Sequence, residues 1–209
     1  MKNVLLIGDS IRLGYQSRVE NLLGKNVKVY APEENCRYTK FALWGMFSWM
    51  EGFGNPKIDA AHWNTGIWDL HRCTADGQIF TPVDEYALYQ HRMAVQMKSY
   101  TDNVIFANMT PGGKGLDTEN ARINALINTN PDFVPVSLTA PMQEWNNDVQ
   151  RYNAAAEKVM TEMNIPVNDF YSAIIADTEK YICSDGVHMT DEGYDLLAKM
   201  TAEKILEMF

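Results

Sequence analysis

Short apolar runs alternate with helical patterns along the whole chain, and this alternation constrains the fold more than any other feature. Residues 4–7, 27–30, 58–63, 104–108 and 166–170 are brief apolar stretches that read as strands, each followed by polar or Gly/Pro punctuation. Between them apolar residues recur every three to four positions. Tyr86, Tyr89, Met93, Met97 and Tyr100 form one such face, and Val149, Tyr152, Ala156, Val159 and Met163 form another. Tyr194, Leu197, Thr201, Ile205 and Met208 form a third, on a helix that Thr190 should cap, with Asp191 and Glu192 at its positive end. Strands alternating with helices predict an α/β domain with a largely parallel sheet and right-handed crossovers. Ligands of such sheets bind beyond the carboxyl ends of the strands, so the residues after each run are the candidates for function. The stretch 71–84 is the longest without periodicity and directly follows a strand, where a loop of that length is expected to be functional or mobile.

Composition narrows the rest. The 209 residues suit one domain spanning 1–209, and 46% hydrophobic with 22% charged residues excludes disordered and collagen-like chains. A net charge of −9 argues against nucleic-acid and anionic-membrane partners. Cys36, Cys73 and Cys183 are too scattered for a zinc or disulfide framework and are expected to be packed or inert thiols. Met1-Lys2-Asn3 leads straight into the first apolar run, so a cytoplasmic protein is expected. The segment Pro111-Gly112-Gly113-Lys114-Gly115 has neither the spacing of a phosphate-binding loop nor its Ser/Thr.

The first run ends in Gly8-Asp9-Ser10-Ile11, which sets Ser10 at a strand-to-helix junction. Free N–H groups and the positive dipole end at such a junction favour a developing oxyanion. Standing alone, the tripeptide reads first as a helix cap. A serine nucleophile needs a base, and the chain has four histidines, His62, His71, His91 and His188. His188 closes the loop Ser184-Asp185-Gly186-Val187-His188, whose spacing lets Asp185 accept a hydrogen bond from the Nδ1–H and leave Nε2 to face a serine.

These two end blocks, with Met189-Thr190-Asp191-Glu192-Gly193-Tyr194 after the second, resemble the SGNH/GDSL hydrolase family. The resemblance implies a flavodoxin-like three-layer α/β/α sandwich with a five-stranded parallel sheet. It also implies a cofactor-free Ser-His-Asp triad that hydrolyses esters, with Ser10 as nucleophile, His188 as base and then acid, and Asp185 as its orienter. No metal is expected. The family supplies three oxyanion donors: the nucleophile N–H, a glycine N–H after the second strand, and an Asn in a G-x-N-D block. Here Glu34-Asn35-Cys36-Arg37 carries no glycine, and Gly66-Ile67-Trp68-Asp69 has Trp where Asn belongs. The expected donors are therefore the N–H of Ser10, a backbone N–H at Cys36 or Arg37 in a conformation open to any residue, and the side chain of Asn64, with the Trp68 indole in competition.

Asp9, Cys36, Trp68 and His71 are further candidates for lining the site. Asp9 is expected to serve mainly as a structural carboxylate, and Arg12 to form a salt bridge on the first helix. His62 and His91 read as structural, and Trp44, Trp49, Trp63 and Trp68 as mostly core. The expected substrate is a small-molecule or oligosaccharide ester, foremost an acetyl group on a carbohydrate. A lipase or thioesterase acting on longer chains, and a noncatalytic carbohydrate-binding protein on the same fold, stand as alternatives.

Overall fold

A computed structural model of the chain describes residues 1–129 and 138–209. Five parallel strands form one sheet in the order β2-β1-β3-β4-β5. They are β1 (Lys2–Gly8), β2 (Val27–Tyr30), β3 (Ala60–Asn64), β4 (Val104–Ala107) and β5 (Val167–Asn168). All five coincide with predicted apolar runs. Phe170 departs from the prediction: it opens a helix, because Asp169 accepts the Ser172 N–H at 3.0 Å and caps one there.

Eight helices are described: α1 (Ser10–Leu23), α2 (Thr39–Gly52), α3 (Val83–Lys98), α4 (Gly115–Thr129), α5 (Met142–Glu162), α6 (Phe170–Ile175), α7 (Thr178–Tyr181) and α8 (Asp191–Leu206). Successive strand residues face opposite sides of a sheet, and the core divides accordingly. Leu5, Ile7, Ala61, Trp63, Val104 and Phe106 pack against α2, α3 and α5. Val4, Leu6, Ala60, Ile105 and Ala107 pack against α1, α6 and α8. The result is the expected three-layer α/β/α sandwich, and the three predicted helix faces carry its core: Tyr86, Met93 and Met97 on α3, Val149, Tyr152 and Ala156 on α5, Leu197, Thr201 and Ile205 on α8.

From β1 the chain crosses to β2 on one side, and later elements lie on the other. The strand order therefore reverses between β1 and β3, which leaves a crevice at their carboxyl ends. Gly8 and Asn64 are register partners at that point.

Candidate active site

Asp9 is the N-cap of α1, its carboxylate accepting the Ile11 N–H at 2.9 Å, so Ser10 occupies the first position of the helix. A side chain on Gly8 would meet Asn64 Oδ1 and the Arg12 side chain well inside contact distance, so glycine is required for β1 to lie this close to both. Across the crevice, a tight hairpin between α7 and α8 presents the other two groups. The Cys183 N–H donates to the His188 carbonyl at 2.7 Å, and Gly186 turns the chain at φ +80°. The Gly113 N–H donates to the Gly186 carbonyl at 2.9 Å, and any side chain on Gly115 would strike the Ser184 carbonyl. The glycine-rich segment after β4, dismissed as a phosphate loop, thus buttresses the histidine hairpin.

The two ends of the chain converge here. His188 Nε2 lies 2.9 Å from Ser10 Oγ, across 178 positions of sequence. His188 Nδ1 lies 2.7 Å from Asp185 Oδ2. Asp185 Oδ1 in turn accepts the backbone N–H groups of Val187 (2.8 Å) and His188 (2.9 Å). Burial alone would raise the Asp185 carboxyl, but those two N–H groups and the His188 ring outweigh it and hold the group below its ordinary value. Asp185 therefore stays an acceptor and keeps the Nδ1 proton on the imidazole, so that Nε2 can receive one from serine.

Asn64 lies at the end of β3, almost wholly buried, and its Oδ1 accepts the Tyr15 hydroxyl at 2.7 Å. Among the described residues its amide nitrogen meets no acceptor, which leaves an N–H donor at the crevice. Burial pushes the Tyr15 phenol far above its ordinary value, so it remains a donor at any working pH. Sequence reading missed Tyr15. The available signal was a tyrosine on the buried stripe of α1 with Ile11 and Val19, since a buried hydroxyl there must find a partner. The competing donor, Trp68, is half-buried and lies against His71, ring centroids 5.0 Å apart and planes tilted by 38°. Burial lowers His71 to about 4, so it is neutral near pH 7.

The loop after β2 corrects two expectations. Arg37 sits at φ +50°, in the left-handed region that glycine favours, so the missing glycine's conformation is adopted by a residue with a side chain. Its N–H donates to Asn35 Oδ1 at 2.8 Å, and the Cys36 N–H donates to the Gly8 carbonyl at 3.2 Å. Both candidate backbone donors are thus engaged within the protein.

Arg12 does not form the expected salt bridge. It is fully buried and donates to the carbonyls of Pro32 (2.9 Å) and Glu34 (2.8 Å), more distantly to that of Gly8, and lies 3.7 Å from Cys36 Sγ. One guanidinium therefore ties the Ser10 turn to the loop after β2. Asp9 lies under this turn, and burial raises it to about 6 despite its bond from Ile11. Asp69, likewise raised to about 6 by burial, accepts the N–H and hydroxyl of Thr39, both at 2.8 Å, and so fixes the start of α2.

Other expectations sort by burial. His62 is a core residue, driven down to about 3 by desolvation, and Trp63 is fully buried, whereas Trp44 is 84% exposed and His91 is exposed. Cys36 is buried and Cys183 half-buried, but Cys73 is exposed on the 71–82 loop. Among the described residues no helix is long and apolar enough to cross a membrane, and no cluster of three or more His, Cys, Asp or Glu is placed to hold a metal ion.

No family model matches the chain, and no curated protein resembles it in sequence. Solved structures do resemble it in fold. A lipase/acylhydrolase from Enterococcus faecalis shares 19% identity over 98% of this chain and 95% of its own, with a TM-score of 0.72. A GDSL-like lipase from Bacteroides thetaiotaomicron shares 18% over 100% of this chain and 89% of its own, with a TM-score of 0.71. A catalytic mutant of an acetylxylan esterase from Geobacillus stearothermophilus shares 16% over 98% of this chain and 94% of its own, with a TM-score of 0.68. The chain has the SGNH/GDSL hydrolase fold.

Proposed function

We propose that the chain is a serine hydrolase of carboxylic esters. The observation that carries this reading is the unbroken path Ser10 Oγ to His188 Nε2 (2.9 Å) and His188 Nδ1 to Asp185 Oδ2 (2.7 Å), set at the reversal of strand order. Ser10 Oγ attacks the ester carbonyl carbon while His188 Nε2 takes its proton, and Asp185 stabilises the imidazolium that forms. The tetrahedral oxyanion is held by the Ser10 N–H at the start of α1 and by the Asn64 amide. Arg37 contributes its N–H only by exchanging Asn35 Oδ1 for the oxyanion. Collapse of the intermediate breaks the carbon–oxygen bond to the alcohol, which leaves with the His188 proton. Water, deprotonated by His188, then releases the acid from Ser10.

A fluorophosphonate probe tests the reaction class. It should label the wild-type chain at Ser10 and fail on Ser10→Ala, and an unlabelled wild type beside a reactive control esterase would refute the reading.

For the substrate, we propose an acetyl ester on a carbohydrate. Support comes from the acetylxylan esterase among the structures of similar fold. Hydrolysis rates on acetyl, butyryl and octanoyl esters decide it: acetyl should be fastest, and a preference for octanoyl would assign the chain to the lipases or thioesterases instead.

A further inference from the structure

Helix α2 is apolar on two sides. Ala42, Met46 and Met50 turn into the core, yet Trp44 and Phe47 on the opposite side are 84% and 75% exposed. A helix that is apolar all round is ordinarily covered all round. These two aromatics and Leu43 instead form one wall of an open groove of about 540 Å³, whose other wall is Tyr89 on α3. That volume falls in the range of small-molecule sites, which are lined by apolar and aromatic groups with a few placed polar ones.

The groove's polar groups are the neutral Ser48 and Gln96 and two cations, Lys40 and Arg92. Lys40 Nζ and the Arg92 guanidinium both lie against the Tyr89 ring, 5.0 and 5.5 Å from its centroid. Lys40 is paired with Glu85 at 3.4 Å. Arg92 has no carboxylate partner among the described residues, although the chain carries nine more acids than bases. A guanidinium held beside apolar walls offers a planar fork to a carboxylate and is more weakly hydrated than an ammonium, so it binds anions there at lower desolvation cost.

We infer that the α2/α3 groove is a binding site for a small amphipathic carboxylate, its apolar body against Trp44, Phe47 and Leu43 and its carboxylate on Arg92. A second copy of this chain fits less well, since a two-fold contact through the groove would bring the cations of both copies together. An anionic bilayer would meet the same patch but also the repulsion of the net charge of −9 around it.

Calorimetric titration with decanoate below its micelle concentration, beside uncharged 1-decanol, tests the assignment. Decanoate should bind saturably and more tightly than decanol. Arg92→Gln should weaken decanoate about tenfold and leave decanol unchanged, while Trp44→Ser combined with Phe47→Ser should abolish both. Hydrolysis of an acetyl ester should be unaffected in all these variants. Equal affinity for acid and alcohol, decanoate binding that survives the double substitution, or a wild-type dimer that Trp44→Ser dissolves in sedimentation would each overturn the inference.

Discussion

Removing the hydroxyl of Tyr15 should slow the reaction through Asn64 and through nothing else. Tyr15 OH donates to Asn64 Oδ1 at 2.7 Å, with both groups buried. In Tyr15→Phe the ring still packs edge-on against Phe170 at 5.9 Å, so the core is kept and only this bond is lost. A buried neutral hydrogen bond contributes about 1 kcal/mol, and an orphaned carbonyl costs about 1–3 kcal/mol. The variant should therefore lose about 1–2 kcal/mol in urea unfolding. The same bond fixes which way the Asn64 amide points. A full oxyanion donor is worth about two to three orders of magnitude in kcat. Loosening one by about 1.4 kcal/mol corresponds to about a tenfold loss. Because the oxyanion exists only in the transition state, kcat should fall with KM nearly unchanged. The decisive assay is a double-mutant cycle on an acetyl ester. Asn64→Ala should cost about a hundredfold or more, and Tyr15→Phe in that background should cost nothing further. A Tyr15→Phe enzyme with wild-type kcat, or one whose loss persists in the Asn64→Ala background, would refute the reasoning.

Asp185→Asn should retain the fold and lower kcat by about 10⁴, because the amide favours the wrong imidazole tautomer; a loss under tenfold would show that Asp185 does not orient the base. Arg12→Lys keeps the charge but cannot reach Gly8, Pro32 and Glu34 together, and should cost about 3 kcal/mol by denaturant titration. Gly115→Ala should destabilise the hairpin against which it packs and reduce kcat without touching substrate, read as lower thermal stability together with slower acetyl-ester turnover. Asp69 titrates near 6 in the folded chain, above its ordinary value of 3.8, so the folded state holds that proton more tightly and wild-type stability falls as pH rises from about 4 to 6. Asp69→Asn has no such loss. Its stability relative to wild type should climb by up to about 3 kcal/mol over that window and stay level above it, and a difference independent of pH would contradict the buried-acid assignment.

What could be read from the sequence was what local pattern encodes. The apolar runs of β1, β3 and β4 marked strands because strands covered on both faces leave little room for polar residues. Ser10, Asp185 and His188 were recognisable only because the two end blocks occur together; either block alone reads as a capped loop. Asn64 was reachable only as the nearest amide at a strand end. What escaped was set by contacts between residues distant in sequence. Tyr15 acts on a residue 49 positions away, and Arg12 reaches carbonyls 20 and 22 positions on. Nothing in the local spacing distinguishes such an arginine from one on a solvated helix face. The exposure of Trp44 was equally hidden: α2 has apolar residues on both sides, and only its packing in the folded core decides which side is covered.

The departures in the loop after β2 have a common physical origin in Arg12. A glycine after β2 would let the loop place its N–H by backbone freedom alone. In this chain Arg37 adopts the left-handed conformation despite its side chain, a strain of order 1–3 kcal/mol. It persists because the segment just before it is held from two directions: Arg12 grips the carbonyls of Pro32 and Glu34, and Cys36 donates to Gly8. The Asn35 side chain then satisfies the Arg37 N–H. A loop fixed by a buried arginine can dispense with glycine, provided the arginine's own charge is met by carbonyl dipoles and by a nearby acid. Asp9 is that acid, since Arg12 is among the influences that lower its otherwise raised carboxyl. The Ser10 turn, the buried acid and the loop after β2 are therefore joined through Arg12, and loosening Arg12 should release Arg37 from its strained conformation.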